Sequence, residues 1–280
     1  KPYLIAEVLA SNIGGASTLI GDPPNIIIGS RAGLSFNDFL LHMTPAVIIT
    51  MAVFLPLCWL MFRRSFQYNP EHVAEVMELQ EGRAIKDSRL LVRCLIVLGL
   101  VIIGFGLHAV VHVEPSIVAL LGAGAMILVS GVDVLDGLRR VEWPTLVFFM
   151  GLFVMVAGLS HTGVIETAGR WVVELVGDNY FAAASSLLYG SAVLGAFFDN
   201  IPYTATMAPI VEALADQVTD PQIAQALWWA FALGADFSGN GTAVAASANV
   251  VAIGLAARSG QHISFWEFTR YGLLVTFVST

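Results

Sequence analysis

Three aspartates stand inside segments that are otherwise apolar: Asp22 in SNIGGASTLIGDPPN (11–25), Asp199 in AFFDNIPYTAT (196–206) and Asp236 in GADFSGNGTAVAASAN (234–249). Even the mildest insertion scales charge about 2.5–3.5 kcal/mol for Asp at mid-bilayer, so such residues point first to function. A carboxylate there can accept a proton or ligate a cation. Oxygen ligands of the right kind surround each one: Asn12, Thr18 and Asn25 beside the first, Asn200 and Thr204 beside the second, and Asn240, Thr242 and Asn249 beside the third.

Each residue also has a structural reading. Asp199 is the first choice for a proton or cation acceptor, with a hairpin cap as its rival, and an N-cap is the rival for Asp236. Asp22 precedes Pro23-Pro24, where Asp often starts a turn. The amides can ligand a cation or satisfy unwound backbone. Gly14, Gly15, Gly21, Gly239 and Gly241 permit irregular backbone, while Pro23, Pro24 and Pro202 are read as helix breakers. No catalytic set and no metal centre is read. His108 and His112 lie one turn apart without a third ligand, and Cys58 and Cys94 have no metal-binding spacing and read as buried small hydrophobes.

The elements that must position these residues belong in a lipid bilayer. The 280 residues are 57% hydrophobic and 12% charged, with a mean hydropathy of +0.78, where a soluble domain carries about a quarter charged residues. The net charge of −8 lies largely in loops, and nucleic acid binding has no support. The chain starts at Lys1 without Met or signal peptide and ends in an apolar run, so it reads as part of a longer protein.

Plain apolar runs of about membrane-spanning length occur near 42–62, 93–112, 115–131 and 144–160. Three more, 3–30, 182–217 and 222–257, are interrupted by the polar motifs, and a last one starts near 269. The organisation expected is 1–62 as the end of a first repeat, 63–92 as a cytoplasmic linker with a surface helix, and 93–280 as a second repeat. The linker and its edge carry Arg63, Arg64, Arg83, Lys86, Arg89 and Arg93, which sets it on the cytoplasmic side. Alternating crossings from that anchor put eleven of the thirteen Lys and Arg inside, leaving Arg31 and Arg170 outside. Charge does not separate a re-entrant hairpin at 182–217 from two full crossings; the uncharged flanks of the DNIPYT tip favour the hairpin. Tryptophans 143, 171, 228, 229 and 266 read as interface anchors.

A shift of 224 sets Asn12 on Asp236, Gly15 on Gly239, Thr18 on Thr242 and Asn25 on Asn249. With a few residues inserted, RAG at 31 matches RSG at 258, and SFNDF at 35 matches SFWEF at 264. The two copies cross in opposite directions in this topology. Paired interrupted helices in an inverted repeat are the sequence pointer to a transporter's site, because irregular backbone at membrane depth is tolerated only where it is buried in protein or lines a wet cavity.

SNIGGASTLIGDPPNIII, AFFDNIPYTATMAPIV and GADFSGNGTAVAASANVV together resemble the ion transporter superfamily, in the branch of arsenite permeases and the melanosomal P protein with a citrate-transporter-like domain. The resemblance implies an all-α polytopic membrane protein of inverted repeats, with broken helices, a re-entrant hairpin and elevator-type movement, here lacking part of the N-terminal repeat. It also implies a homodimer in the lipid bilayer, in a prokaryote the inner (plasma) membrane. The implied activity is secondary active transport of a small inorganic ion or oxyanion, coupled to H+ or Na+ with no cofactor: a proton-coupled efflux permease for arsenite or antimonite, or a Na+/H+-type antiporter. A Na+-coupled citrate or dicarboxylate symporter is the alternative. Symporters of the superfamily have Ser-Asn-Thr at the hairpin tip where this chain has Asp199-Asn200, and an added carboxylate repels an anionic substrate. An intramembrane aspartyl protease using Asp22 and Asp199 is the remote alternative; Leu19 stands where its motif needs Gly, and no PAL tripeptide follows.

Overall fold

The computed structural model describes residues 1–64, 85, 87–165, 167, 170, 171, 174 and 179–280. The described residues form helices and no strand. Most of the expected linker, with its surface helix, lies outside the described residues.

The helices are α1 (Pro2–Gly15), α2 (Pro23–Ala32), α3 (Phe36–Phe62), α4 (Ser88–Val111), α5 (Pro115–Ser130), α6 (Val134–Arg139), α7 (Trp143–His161), α8 (Tyr180–Phe197), α9 (Asn200–Ala215), α10 (Pro221–Ser238), α11 (Ser247–Arg258) and α12 (Phe265–Ser279). They fall into two compact units, one of 1–63 with 148–280 and one of 64–147. Among the described residues four helices are long and apolar enough to cross a membrane: α3, α4, α7 and α8. The expected span at 115–131 is the 16-residue α5, about 24 Å long at 1.5 Å per residue and so short of a full crossing on its own.

In the smaller unit α4 and α5 form a hairpin around the left-handed His112 (φ 56°). Small residues let them approach: a Cβ on Gly104 would meet Val118 Cγ1 at 2.8 Å, and one on Gly122 would overlap Val101. Large apolar side chains face outward, with Leu120 73% and Leu128 84% exposed, as suits helices whose solvent is lipid.

In the larger unit local chemistry sets where each helix begins. Asp22 is extended (φ −139°, ψ 141°) because the residue before a proline is driven out of the helical region, and Pro23 and Pro24 then open α2, where a missing N–H is harmless. Gly33 ends α2 in the left-handed conformation (φ 65°). The paired SFNDF and SFWEF segments are both capping boxes. The Ser35 hydroxyl accepts from Asp38 N at 3.2 Å and the Asp38 carboxylate accepts from Ser35 N at 2.7 Å, and Ser264 with Glu267 repeats the arrangement at 3.1 and 3.5 Å.

The core lies around α10. Every residue from Gly234 to Ala243 is buried, packed by α8, α9, α2 and α12. Backbone proximity is bought with glycine: a Cβ on Gly195 would run into the Ser238 side chain, one on Gly234 into Leu188 O, and one on Gly272 into Asn240 O. Trp228 lies in this core at 6% exposure, and Trp229 stacks on His42 (5.0 Å, 14°). Trp228 therefore packs inside the protein and Trp229 is half-buried, while Trp143, Trp171 and Trp266 are exposed.

Candidate functional site

The first interruption runs from Ala16 to Asp22, between α1 and α2. Its freed carbonyls are gathered by one side chain: Asn25 Nδ2 donates to Thr18 O at 3.1 Å and to Gly15 O at 3.5 Å. The second interruption runs from Gly239 to Ala246, between α10 and α11. There Asn249 Nδ2 donates to Thr242 O at 2.8 Å and Gly239 O at 2.7 Å. The turns match as well. Gly21 N bonds Thr18 O as Ala245 N bonds Thr242 O, and Ser17 N bonds Gly14 O as Gly241 N bonds Ser238 O.

Asn12 ties the two interruptions together, its Nδ2 lying 2.9 Å from Asn249 Oδ1, 3.1 Å from Asn240 Oδ1 and 3.2 Å from Gly239 O. The hairpin of α8 and α9 closes on both. Asn200 N donates to Ala245 O at 3.0 Å, Asn200 Nδ2 donates to Asp22 Oδ2 at 3.3 Å, and the Thr242 hydroxyl donates to Ala196 O at 2.7 Å. The N-termini of α2 and α9 thus meet beside Ala245, two residues before the start of α11. Three helix ends contribute positive partial charge to one place, together with the three aspartates.

The aspartates differ in what they touch. Asp199 is the N-cap of α9, accepting from Ile201 N at 3.0 Å. Asp22 makes no cap bond and takes its contact from Asn200. Asp236 sits in the last turn of α10, fully buried, and neither of its oxygens has a hydrogen-bond partner. Asp22 is within electrostatic range of both Asp199 and Asp236. The Asn25 side chain lies beside Asp236.

Asn25, Asn200, Thr204, Asn240, Thr242 and Asn249 are at most 1% exposed and Asn12 is 5%. Their partners separate backbone support from free valence. Thr204 donates to Asn200 O at 2.7 Å, and Thr18 contributes its carbonyl. Asn25 Oδ1, Asn200 Oδ1 and both Asp236 oxygens remain unpartnered, as does the donor Asn240 Nδ2. Among the breaker residues, Gly14 and Gly15 end α1, Gly21 lies in the first interruption and Gly239 and Gly241 in the second. Pro202 lies in the first turn of α9, where proline is tolerated; the break is at Phe198-Asp199, where Phe198 is extended.

Hydroxyls overlooked in the sequence support the interruptions. Thr44 donates to Ser17 O at 3.0 Å and Thr276 to Phe237 O at 3.3 Å. Their one visible signal is a hydroxyl within an apolar helix. Among the described residues no group of three or more His, Cys, Asp or Glu could hold a metal ion, and Cys58 and Cys94 are free and half-buried. The arrangement gathers unpartnered carboxyl and amide oxygens beside one unpartnered amide donor, Asn240 Nδ2.

Membrane-length apolar helices, two interrupted helices and a closing hairpin are the parts of an integral membrane protein of the transporter class. The chain belongs to the citrate transporter family, CitMHS, whose model matches residues 1–234. It is 53% identical over 279 residues to an uncharacterized transporter of Mycobacterium tuberculosis, covering 99% of this chain and 65% of that protein. A 46 kDa membrane protein of Mycobacterium leprae is 51% identical over 278 residues, with the same coverage. The P protein of Mus musculus is 35% identical over 359 aligned positions, covering 100% of this chain and 43% of that protein. The chain spans about two thirds of the length of the mycobacterial relatives it matches. The superfamily resemblance carried by the three motifs is the one these relatives bear out.

Proposed function

We propose that the full-length protein is a secondary active transporter that couples movement of a small ion or oxyanion to H+ or Na+ at the cluster of Asp22, Asp199 and Asp236. The observation that carries this reading is the convergence of half-buried Asp22 and Asp199 and fully buried Asp236 with the unpartnered amide oxygens of Asn25 and Asn200. Such a cluster is stable when a positive charge enters it and costly when empty and ionised. The substrate favoured is arsenite or antimonite leaving against incoming protons, or Na+ exchanged for protons. If arsenite is carried, oxygen contacts hold it, since neither cysteine falls in the three motifs.

Membership of the citrate transporter family favours a second reading, Na+-coupled uptake of citrate or a dicarboxylate. In that reading the helix N-termini take the anion and the acids take the cation. The equivalent hydrogen bonds of Asn25 and Asn249 support an inverted repeat, and with it an elevator movement in a homodimer. The charge pattern supports an inner-membrane protein with 63–92 in the cytoplasm.

The test is flux in proteoliposomes of the full-length protein with an imposed pH gradient, offered Na+, arsenite, antimonite and citrate in turn. Proton-driven movement of one of the first three, lost in Asp199→Asn, is expected. Citrate uptake that requires Na+ selects the second reading, and flux of none of them, with the protein folded, overturns both.

A further inference from the structure

Three oxygens of the second interruption converge on one nitrogen. Asn249 Oδ1, Asn240 Oδ1 and Gly239 O lie 2.9, 3.1 and 3.2 Å from Asn12 Nδ2, and all three asparagines are buried. Their orientations are fixed by what surrounds them. Asn249 directs its own Nδ2 to Gly239 O and Thr242 O, two carbonyls that only accept, so its Oδ1 faces Asn12. Turning Asn240 over would set its Nδ2 against Asn12 Nδ2, donor against donor; as it stands, Asn240 Nδ2 is buried without a partner. An amide nitrogen carries two hydrogens, so Asn12 cannot give each of the three oxygens a hydrogen of its own. Support of a broken helix does not require this set. At the first interruption Asn25 alone gathers the two freed carbonyls, and under the shift of 224 Ala16 stands in the place of Asn240.

We infer that Gly239 O, Asn240 Oδ1 and Asn249 Oδ1 are ligands of a monovalent alkali cation, and that in the conformation seen here the Asn12 amide nitrogen stands in the ion's place. An ion is not directional and has no fixed count of hydrogens, so it serves all three oxygens at once, as carbonyls do where they replace an ion's hydration shell. Neutral carbonyl oxygens suit a monovalent cation, whereas divalent sites are built on carboxylates. A half-turn of the Asn12 amide exchanges Nδ2 for Oδ1, so the same side chain supplies a fourth oxygen once the ion has entered. The set adjoins the hairpin tip: a Cβ on Gly239 would lie 3.2 Å from Asn200 Nδ2, and Asn200 in turn donates to Asp22. Ion entry thus changes the tie between α1 and the second interruption beside the hairpin that closes on it. The inference deepens the proposed coupled transport, on which its role rests, by giving the ion ligands other than the three aspartates. Ion binding itself is measurable without flux.

The experiment is thermal unfolding of the full-length protein in detergent, titrated separately with NaCl, LiCl and KCl and held at constant ionic strength with choline chloride. A ligand of the folded state raises the melting temperature with its concentration, so wild type is expected to show a saturable rise with at least one of the three ions. Asn240→Ala removes one ligand and leaves the bonds of Asn249 in place; it is expected to lose the rise or to move its midpoint to higher concentration. Asn12→Asp replaces the competing donor with a charged oxygen and is expected to lower the midpoint by about tenfold or more. Absence of a saturable rise in wild type overturns the inference. So does a rise that Asn240→Ala retains with the same midpoint, or a midpoint that Asn12→Asp leaves unchanged or raises. Each variant decides alone should the other fail to fold. Saturable binding with these signatures and no flux of any ion offered above keeps this inference and loses the transport reading; proton-driven flux in a protein indifferent to all three cations does the reverse.

Discussion

Asn25 and Asn249 make the same pair of hydrogen bonds at places 224 residues apart, each side chain reaching back seven and ten residues to two carbonyls freed by a helix break. The bonds are shorter at Asn249, 2.7 and 2.8 Å against 3.5 and 3.1 Å. Asn249→Ala removes three buried hydrogen bonds, those of Asn249 Nδ2 to Gly239 O and Thr242 O and that of Asn12 Nδ2 to Asn249 Oδ1, a loss of about 2–4 kcal/mol. Asn25→Ala is expected to lose less. Denaturation of the two variants of the full-length protein, side by side, measures the order.

Gly272 separates packing from backbone effects. Its added methyl would lie 2.9 Å from Gly241 O and closer still to Asn240 O, so Gly272→Ala is expected to destabilise by about 1–3 kcal/mol through overpacking. Gly190, in α8, has nothing within 4 Å of an added Cβ, and Gly190→Ala should be neutral or stabilising by up to about 1 kcal/mol. Melting temperatures of the two variants test the contrast.

Asp199 is open to a separation of charge from capping. Asn caps a helix about as well as Asp, so Asp199→Asn should keep stability within about 0.5 kcal/mol of wild type, whereas Asp199→Ala should lose about 1 kcal/mol, within the range for lost caps. A proton-coupled flux lost in both variants, with only the second destabilised, identifies the charge as the functional property. Flux retained in Asp199→Asn makes the residue a cap.

Arg31 and Glu212 pair at 2.7 Å, joining α2 to α9, with side chains 35% and 41% exposed. That exposure leaves the contact open to screening, so a double-mutant cycle is expected to give a coupling of about 0.2–1 kcal/mol. The coupling should shrink further in high salt. A larger value would mean that the hairpin is held to the first broken helix by more than packing.

Much of the site was legible because membrane insertion makes polar residues conspicuous. Asn12, Asn25, Asn200, Asp236 and Asn249 stood out against apolar surroundings, and the structure brings them together. Their partners were not legible. Whether Asp199 or Asp236 caps a helix depends on where a helix ends to within a residue or two, which composition does not fix. Helix α9 begins one residue after Asp199, while α10 runs two residues past Asp236, so the first is a cap and the second is not. Pro202 illustrates the same point. A proline marks the neighbourhood of a break, yet this one sits three residues into the helix that follows. Trp228 was misplaced at the interface because an aromatic in an apolar stretch carries no mark of which neighbour it meets.

The glycines around the second interruption also constrain which sequences lie within reach of this one. At Gly195, Gly234, Gly241 and Gly272 every amino acid other than glycine adds atoms where the neighbour stands closest. At Gly234 and Gly272 that neighbour is a carbonyl, which no second substitution can make smaller. Relief there requires a helix to shift, and α10 is packed on several sides. Variation in this protein should therefore accumulate on its lipid-facing helices, and the second interruption should change only by steps that move whole helices together.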